Sequence, residues 1–386
     1  MYALIRNWWW RLRREKCGMD IKINDFIKSQ DKTMYIDDDP SQASSLSIDC
    51  GEGINIMQIP PCWMSAIENL DLEYIRTYPH TPGLKEEIVH YWKECAAIDE
   101  ENIFFIEGSM DGIRIACRVF LERGDLVLGN IPTFNAAEGE IKLSGAKYDG
   151  ILLEEKQNYA FDCGRFLEKL NGGYKMVFLD NPNNPTGQVI PLEQIRKIVD
   201  KAAEYGIGVI VDEAYGDYMS KENSAANLLD RFENVAVLRT FSKGFGLAGM
   251  RIGYMITSGG QLSRAVSKVT DGYKVGILSR LLAVKALRDT DFLKRVNEEA
   301  GKLKKVFLEE TWENLSISAT GKNVPIMLLS HKETNVDLAG CLAEYGIKAI
   351  SGMEFDGIGK NSVRFRVPPQ KDLEEVLRAL KEIDKR

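Results

Sequence analysis

From about residue 49 onward, short apolar runs alternate with longer segments in which apolar residues recur at helical spacing. The apolar runs have the length and composition of buried strands, and they cover 102–106, 125–128, 175–179, 207–211, 235–238 and 251–256. Amphipathic helical patterns lie between them, for example at 110–121 and 192–205. Because strand–helix–strand repetition places successive strands side by side, this order predicts a mostly parallel sheet covered by helices.

The pattern changes after residue 260. Helical stretches cover 261–288 and 291–312, shorter strands follow at 326–329 and 363–367, and a helix at 371–383 closes the chain. A chain of 386 residues is longer than a single hydrophobic core usually serves. We therefore predict an α/β protein in which 49–260 form a large sheet domain and 261–386 an interdomain helix with a smaller α+β domain. Residues 20–48 are expected to pack on the smaller domain.

The first 19 residues are basic and carry Trp8, Trp9 and Trp10 in a row. Such residues suit an amphipathic anchor at a membrane interface. The alternative, which we favour, is a disordered extension or a start codon upstream of a true start at Met19. An apolar core typical of a secretory signal is missing from this segment.

Composition narrows the class of function. Lys and Arg number 50 against 57 Asp and Glu, a net charge of −7, so the positive surface that nucleic-acid binding needs is not expected. The 7 Cys are widely spaced and odd in number, as in reduced cytoplasmic proteins, and the 3 His lack metal-ligand spacing. No apolar run is long enough to span a bilayer. We expect a cytoplasmic protein that acts on small molecules, without a metal, nucleic acid or membrane partner.

Glycines at 244, 246 and 249 match the dinucleotide-binding pattern G-x-G-x-x-G. That pattern requires a helix to begin at the last glycine, whereas here an apolar run with strand character follows. The same region instead places Lys243 beside the hydroxyls of Thr240 and Ser242, with Arg251 eight residues on. A lysine in such a loop can act as a nucleophile, while hydroxyls and a guanidinium can bind a phosphate.

Two further segments end apolar strands with polar residues. Asp212 follows 207–211, with Tyr215 three residues later, and a loop rich in Asn and Pro at 180–187 contains Asn184. A carboxylate at the carboxyl end of a parallel strand points into the ligand crevice of such folds. Taken singly, Asp212 could equally cap a helix and the loop could be an ordinary turn.

Together these segments resemble the fold type I enzymes that use pyridoxal 5'-phosphate (PLP), specifically the class I/II aminotransferases. The resemblance runs from about residue 49 to the carboxyl terminus. Its motifs appear in this order: Gly108-Ser109-Met110-Asp111, Pro132-Thr133-Phe134, Asn184-Pro185-Thr186-Gly187, Asp212 with Tyr215, Ser242-Lys243 with Arg251, and Arg364. The pair Tyr78-Pro79 before a helix is most similar to the histidinol-phosphate aminotransferase subgroup.

The resemblance implies that Lys243 binds PLP covalently and moves protons during the reaction. Asp212 would pair with the pyridine nitrogen, and Asn184 and Tyr215 would hydrogen-bond the ring hydroxyl oxygen. Phe134 would stack on the ring, although an aromatic there could simply belong to the core.

The resemblance also implies a phosphate cup. Gly108, Ser109 and Met110 would offer backbone N–H groups at a helix start, and Thr240, Ser242 and Arg251 would complete the cup. Tyr78 would reach the phosphate of a neighbouring subunit. The chain is therefore expected to form a homodimer with shared active sites.

Arg364 would bind the substrate carboxylate, because a planar guanidinium pairs with a carboxylate through two hydrogen bonds. The implied reaction is a ping-pong transfer of an amino group from an amino acid, or a similar amine, to a 2-oxo acid. Arg366, two residues along the same strand, is given no role and could be a solvent-facing charge. Residues 348–351 lack the additional Arg of histidinol-phosphate enzymes, which leaves the donor open.

Two alternatives share the cofactor-binding motifs. One is a PLP-dependent lyase similar to threonine-phosphate decarboxylase, since the same cofactor serves both kinds of reaction. The other is a PLP-binding regulator fused to a DNA-binding domain. Fewer than 50 residues precede the fold in this sequence, so we do not expect such a fusion.

Overall fold

The computed structural model describes residues 22, 24–29, 48–80 and 83–386. The Trp-rich extension at 1–19 and most of the predicted segment 20–48 lie outside these residues. Within the amino-terminal unit, helix α1 (Asp25–Lys28) is capped by Asn24, whose side chain accepts a hydrogen bond from the backbone N–H of Phe26. The described residues from 48 onward belong to a second compact unit.

The second unit contains the predicted strands in the predicted order, together with elements that were not predicted. The strands are β1 (Ile48–Asp49), β2 (Ile103–Ile106), β3 (Leu126–Ile131), β4 (Lys147–Leu152), β5 (Met176–Asp180), β6 (Gly208–Asp212), β7 (Val235–Thr240), β8 (Gly253–Thr257), β9 (Leu315–Ile317), β10 (Ile326–His331), β11 (Ile347–Lys348), β12 (Ile350–Ser351) and β13 (Ser362–Arg366). The helices are α2 (Ser65–Glu68), α3 (Glu73–Arg76), α4 (Leu84–Trp92), α5 (Ser109–Phe120), α6 (Asn135–Leu143), α7 (Cys163–Lys169), α8 (Leu192–Glu204), α9 (Gly260–Val269), α10 (Ile277–Arg288), α11 (Thr290–Glu309), α12 (Leu338–Glu344) and α13 (Leu373–Ile383).

The large sheet has seven strands in the order β2-β8-β7-β6-β5-β3-β4. Strand β8 is antiparallel to both of its neighbours, and the other pairs are parallel. The predicted mostly parallel sheet is confirmed. Strand β4 was not predicted, because Lys147 and Asp149 interrupt its apolar residues at the edge of the sheet.

Helices cover both faces of this sheet. Along β6 every residue is buried, and Val209 and Val211 face one core while Ile210 faces the other. Alternate residues of a strand point to opposite faces, so a continuously apolar strand indicates a sheet enclosed on both sides. This burial explains why the central strands were readable from sequence.

The predicted helical stretch 261–288 is wrong as one element. Helix α9 ends at Val269 and α10 begins at Ile277. In the intervening turn, the carbonyls of Gly272 and Val275 accept hydrogen bonds from the buried guanidinium of Arg280, at 2.6 and 2.9 Å. The break is therefore held by a side chain from the following helix, which periodicity alone does not reveal.

A smaller antiparallel sheet, in the order β12-β13-β10-β9, has its own apolar core. Helix α11 contributes Phe292 and Val296 to the core of the large sheet, and Leu303 and Phe307 to the core of the small one. The domain limits proposed from sequence stay a prediction. Among the described residues, no helix has the length and apolar character to cross a membrane.

Candidate active site

A cavity of about 340 Å³ opens where β5, β6 and β7 end. The carboxyl ends of neighbouring parallel strands meet at one edge of a sheet, which is where such folds bind ligands. The cavity is lined by most of the predicted cofactor-binding residues, namely Ser109, Met110, Phe134, Asn184, Asp212, Tyr215, Thr240, Ser242, Lys243 and Arg251.

One end of the cavity gathers groups that bind anions. Ser109 begins α5, whose first backbone N–H groups have no partner within the helix. Next to it, Gly108 has a φ of +83°, and a Cβ added there would lie 2.8 Å from Nη2 of Arg251. Glycine is therefore required at this close approach of the backbone to the guanidinium.

The Arg251 guanidinium is held in place by backbone carbonyls. Its Nη1 donates to the carbonyl of Ala248 at 2.9 Å, and its Nη2 donates to that of Glu107 at 3.1 Å. The hydroxyl of Thr240 donates to that of Ser242 at 2.9 Å. A guanidinium, two hydroxyls and a helix start form a donor set that suits a phosphate group.

The cavity also contains a buried acid, Asp212. Its Oδ1 accepts the backbone N–H of Ala214 at 3.0 Å, and the nearby Ser109 side chain acts to lower its pKa. Burial raises the pKa of Asp212 to about 7, with a further contribution from the neighbouring Asp180. A cationic nitrogen beside Asp212 would offset this cost, as a protonated pyridine ring would.

Asp180 is a site residue that the sequence analysis did not assign. Its carboxylate accepts the backbone N–H groups of Asn184 and Phe134, at 2.8 and 3.2 Å, and the side-chain amide of Asn183 at 2.9 Å. Burial raises its pKa to about 6. The signal in the sequence was its position as the last residue of β5, directly before the Asn-rich loop. Asp180 thus joins two loops that line the cavity.

Lys243 and Tyr215 face each other inside the cavity. The Lys243 Nζ lies 5.2 Å from the centre of the Tyr215 ring. Burial raises the pKa of Tyr215, so its hydroxyl stays protonated at neutral pH and can donate a hydrogen bond. The glycines after Lys243 lead through a short turn, Ala248–Met250, into β8. This agrees with the rejection of a dinucleotide-binding motif there.

Residues 48–383 match the family model described as aminotransferase class I and II. This chain belongs to the class I and II aminotransferases. Among its relatives, the histidinol-phosphate aminotransferase of Caldanaerobacter subterraneus subsp. tengcongensis is 33% identical over 80% of this chain and 85% of the relative. That of Thermoanaerobacter sp. (strain X514) is 34% identical over 79% and 83%.

Solved structures share the fold at lower identity. The histidinol-phosphate aminotransferase from Clostridium acetobutylicum is 22% identical with a TM-score of 0.75, covering 88% of this chain and 99% of its own. The corresponding enzyme from Sinorhizobium meliloti, solved with pyridoxal 5'-phosphate, is 18% identical with a TM-score of 0.79, over 95% and 99%. The protein is a PLP-dependent aminotransferase, and its substrates are an amino acid and a 2-oxo acid.

The cavity of this aminotransferase fits PLP on its own geometry. The anion-binding end at Gly108 suits the phosphate, the buried acid Asp212 suits the ring nitrogen, and Lys243 supplies the amine. Bound PLP supplies an electron-withdrawing ring that stabilises negative charge on a substrate carbon.

The predicted substrate residue Arg364 lies beside the cavity and is only 1% exposed. Its Nη1 donates to Oδ1 of Asn184 at 3.2 Å, and its Nη2 donates to the carbonyl of Gly51 at 2.5 Å. A substrate carboxylate that approached Arg364 would meet it next to Asn184. Its role as the carboxylate-binding residue stays a prediction.

Residues 49–53 form a part of the site that the sequence analysis missed. Arg366 is buried, contrary to the solvent-facing alternative, and donates to the carbonyls of Asp49 and Glu52. At Gly53, an added Cβ would overlap the hydroxyl of Tyr215. Glu52 and Gly53 also line the cavity. Arg366 therefore holds this segment against the aminotransferase site.

Tyr78 does not line the cavity of its own chain. Tyr78 is 70% exposed, and the centre of its ring lies 5.0 Å from that of Tyr273. A role for Tyr78 in a neighbouring subunit stays a prediction.

Proposed function

We propose that this aminotransferase carries PLP on Lys243 and transfers the amino group of an α-amino acid whose carboxylate is bound by Arg364. The observation that carries the proposal is the placement of Lys243, Asp212 and Arg251 around one cavity. The three groups are an amine, a buried acid and a fixed guanidinium, and each matches a different part of the cofactor.

Each residue has a distinct task in this proposal. Arg251 and the start of α5 bind the phosphate and set the depth of the cofactor. Asp212, in its ionised form, would accept a hydrogen bond from the protonated ring nitrogen. The Tyr215 hydroxyl and the Asn184 side-chain amide would each donate a hydrogen bond to the ring oxygen of the cofactor.

Lys243 has a second task once the donor is bound. Once the donor amine had replaced Lys243 in the linkage to PLP, the freed ε-amino group would remove the proton from Cα of the donor as a general base and then deliver a proton as a general acid. Asn184 links this site to Arg364 through the 3.2 Å hydrogen bond. A donor whose carboxylate is bound by Arg364 is thereby oriented so that the donor Cα faces Lys243.

The assembly and location of the protein are also part of the proposal. We infer a cytoplasmic homodimer in which Tyr78 of each chain completes the phosphate site of the other. The high exposure of Tyr78, away from its own cavity, supports this arrangement.

A single-turnover experiment tests the proposed reaction. The purified protein is loaded with PLP and mixed with one amino acid at a time, without a 2-oxo acid acceptor. A true donor should yield one equivalent of its 2-oxo acid and change the visible absorption of the cofactor. Release of carbon dioxide with retention of the amino group on the product would instead favour the lyase alternative. Histidinol phosphate belongs in the same screen, because the relatives are named for it. It has no carboxylate, so its product would be the corresponding ketone and not a 2-oxo acid.

A further inference from the structure

Three residues adjacent to the cofactor site in sequence or in space meet in a buried charge cluster. The cluster consists of Glu213, Asp217 and Arg239, each at most 6% exposed. Arg239 Nη1 lies 3.1 Å from Oε2 of Glu213, and Nη2 lies 2.5 Å from Oδ1 of Asp217. None of the three lines the cavity. Glu213 follows Asp212 directly, and Arg239 directly precedes Thr240.

The cluster contains two carboxyl groups and one guanidinium. Burial raises the pKa of both carboxyl groups, and Arg239 opposes that rise. Glu213 has additional partners, since it accepts the hydroxyl of Ser224 at 2.6 Å and the backbone N–H of Ala225 at 2.7 Å. Buried ion pairs of this kind contribute little net stability compared with apolar residues. The contacts of Asp217 indicate a positioning role instead.

Asp217 contacts the residue that follows Lys243. Its side chain packs closely against the Gly244 backbone, since a Cβ added at Gly244 would overlap the Asp217 side chain and lie 2.7 Å from its Oδ2. The carbonyl of Gly244 accepts the side-chain amide of Asn55 at 2.6 Å. The Gly244 backbone is thus held by the Asp217 side chain that packs against it and by Asn55 at its carbonyl, which restricts the direction in which Lys243 leaves the chain.

Asp217 is also tied to the helix shared by the two cores. Its backbone carbonyl accepts the side-chain amide of Asn297, on α11, at 2.7 Å. The 3₁₀ turn Gly216–Tyr218 that carries Asp217 is therefore fixed from two sides, by Arg239 and by Asn297. Its position cannot shift without breaking one of these bonds.

We propose that Asp217 is a positioning residue that directs the Lys243 side chain into the cavity by holding the Gly244 backbone, with Arg239 and Asn297 fixing Asp217 in turn. Asp217 touches neither cofactor nor substrate in this proposal. The proposal rests on the role of Lys243 given above. It predicts that loosening Asp217 slows chemistry at Lys243 without weakening the binding of the donor carboxylate.

The test compares the full-length protein with Asp217→Ala. Each is incubated with PLP, samples are reduced with borohydride over time, and mass spectrometry measures the fraction of chains carrying the cofactor on Lys243. We expect Asp217→Ala to form the linkage about tenfold more slowly and to lose about tenfold in kcat. The KM of the amino donor should change by less than about twofold, because Arg364 is untouched.

Asp384→Asn is the matched control. Asp384 is a buried acid that accepts the backbone N–H groups of Glu313, Asn314 and Leu315, at the small sheet. Its replacement should lower stability but leave the rate of linkage unchanged. If Asp217→Ala does not fold, Asn297→Ala replaces it, with an expected slowing of about threefold.

The outcomes separate the two proposals. The positioning role would be overturned if Asp217→Ala formed the linkage at the rate of the unaltered protein. The same holds for Asn297→Ala where that variant is used instead. Equal slowing in the Asp384→Asn control would also overturn it, because the effect would then be one of general stability. If the unaltered protein itself carries no cofactor on Lys243, the proposed function fails instead.

Discussion

Asp180 and Asp212 lie opposite each other on adjacent parallel strands, as Cα partners in the register of β5 and β6. Both carboxyl groups are fully buried, with pKa values raised to about 6 and about 7. Two neighbouring buried acids are costly to ionise together, and the nearby Lys243 offsets only part of this cost at Asp212. The pair therefore makes the cofactor-free site sensitive to pH, and a cationic ligand should relieve that sensitivity.

Replacing Asp212 by asparagine tests this account. The folded pKa of Asp212 lies above its ordinary value, so its contribution favours the folded state at low pH and is lost as pH rises through about 7. An asparagine side chain at this position cannot ionise. In cofactor-free protein, the free energy of unfolding of Asp212→Asn, relative to that of the unaltered chain, should rise by roughly 1–3 kcal/mol as the pH increases from 5 to 8. Urea unfolding at several pH values measures it, and a difference independent of pH would contradict it.

Replacing Lys243 by alanine should abolish both the covalent linkage and turnover. The phosphate end of the cavity is intact in this variant, so PLP should still bind, more weakly. Reduction with borohydride followed by mass spectrometry detects the linkage. Lys305→Ala is a suitable control, because the Lys305 side chain is 68% exposed on α11. Cofactor trapped on another lysine in the Lys243→Ala variant would show that the assignment is wrong.

Arg364→Ala should raise the KM of carboxylate donors by about 10- to 100-fold, with a smaller effect on PLP affinity. The reason is the loss of a charged bidentate partner at the position next to Asn184. Steady-state kinetics and PLP titration measure the two effects separately. Arg366→Ala provides the comparison, since Arg366 binds the same segment of backbone without contacting Asn184. An unchanged donor KM in Arg364→Ala would mean that the substrate is anchored elsewhere.

Gly53→Ala should weaken PLP binding and lower stability together. The added methyl group would overlap the Tyr215 hydroxyl, so residues 49–53 or the tyrosine must move. We expect a loss of about 1–3 kcal/mol in free energy of unfolding, as for other overpacked sites. Gly276→Ala is the control, because a Cβ there meets nothing within 4 Å. Equal stability and PLP affinity in Gly53→Ala and Gly276→Ala would show that the close approach is unimportant.

Part of the site was predictable because it is built from strand ends. Asp212 and Thr240 each end a parallel strand, and parallel strands with apolar residues on both faces are readable from sequence. Their side chains must therefore meet at one edge of the sheet, whatever the details of packing. The glycine before α5 was assigned through the resemblance to class I/II aminotransferases, and the lysine loop through its hydroxyls and Arg251 at short spacing.

The remaining features depend on contacts that no local pattern encodes. Arg364 donates to Gly51 across 313 residues of chain, and Arg366 reaches Glu52 across 314. Sequence by itself determined the buried central strands, the polar residues at their ends and the chemistry that those residues can perform. Only the tertiary structure decided that residues 49–53 cover Tyr215, that Arg366 is buried and that Asp217 contacts Gly244. These contacts arise from the packing of distant segments into one core, and packing, unlike periodicity, leaves no signature in neighbouring residues.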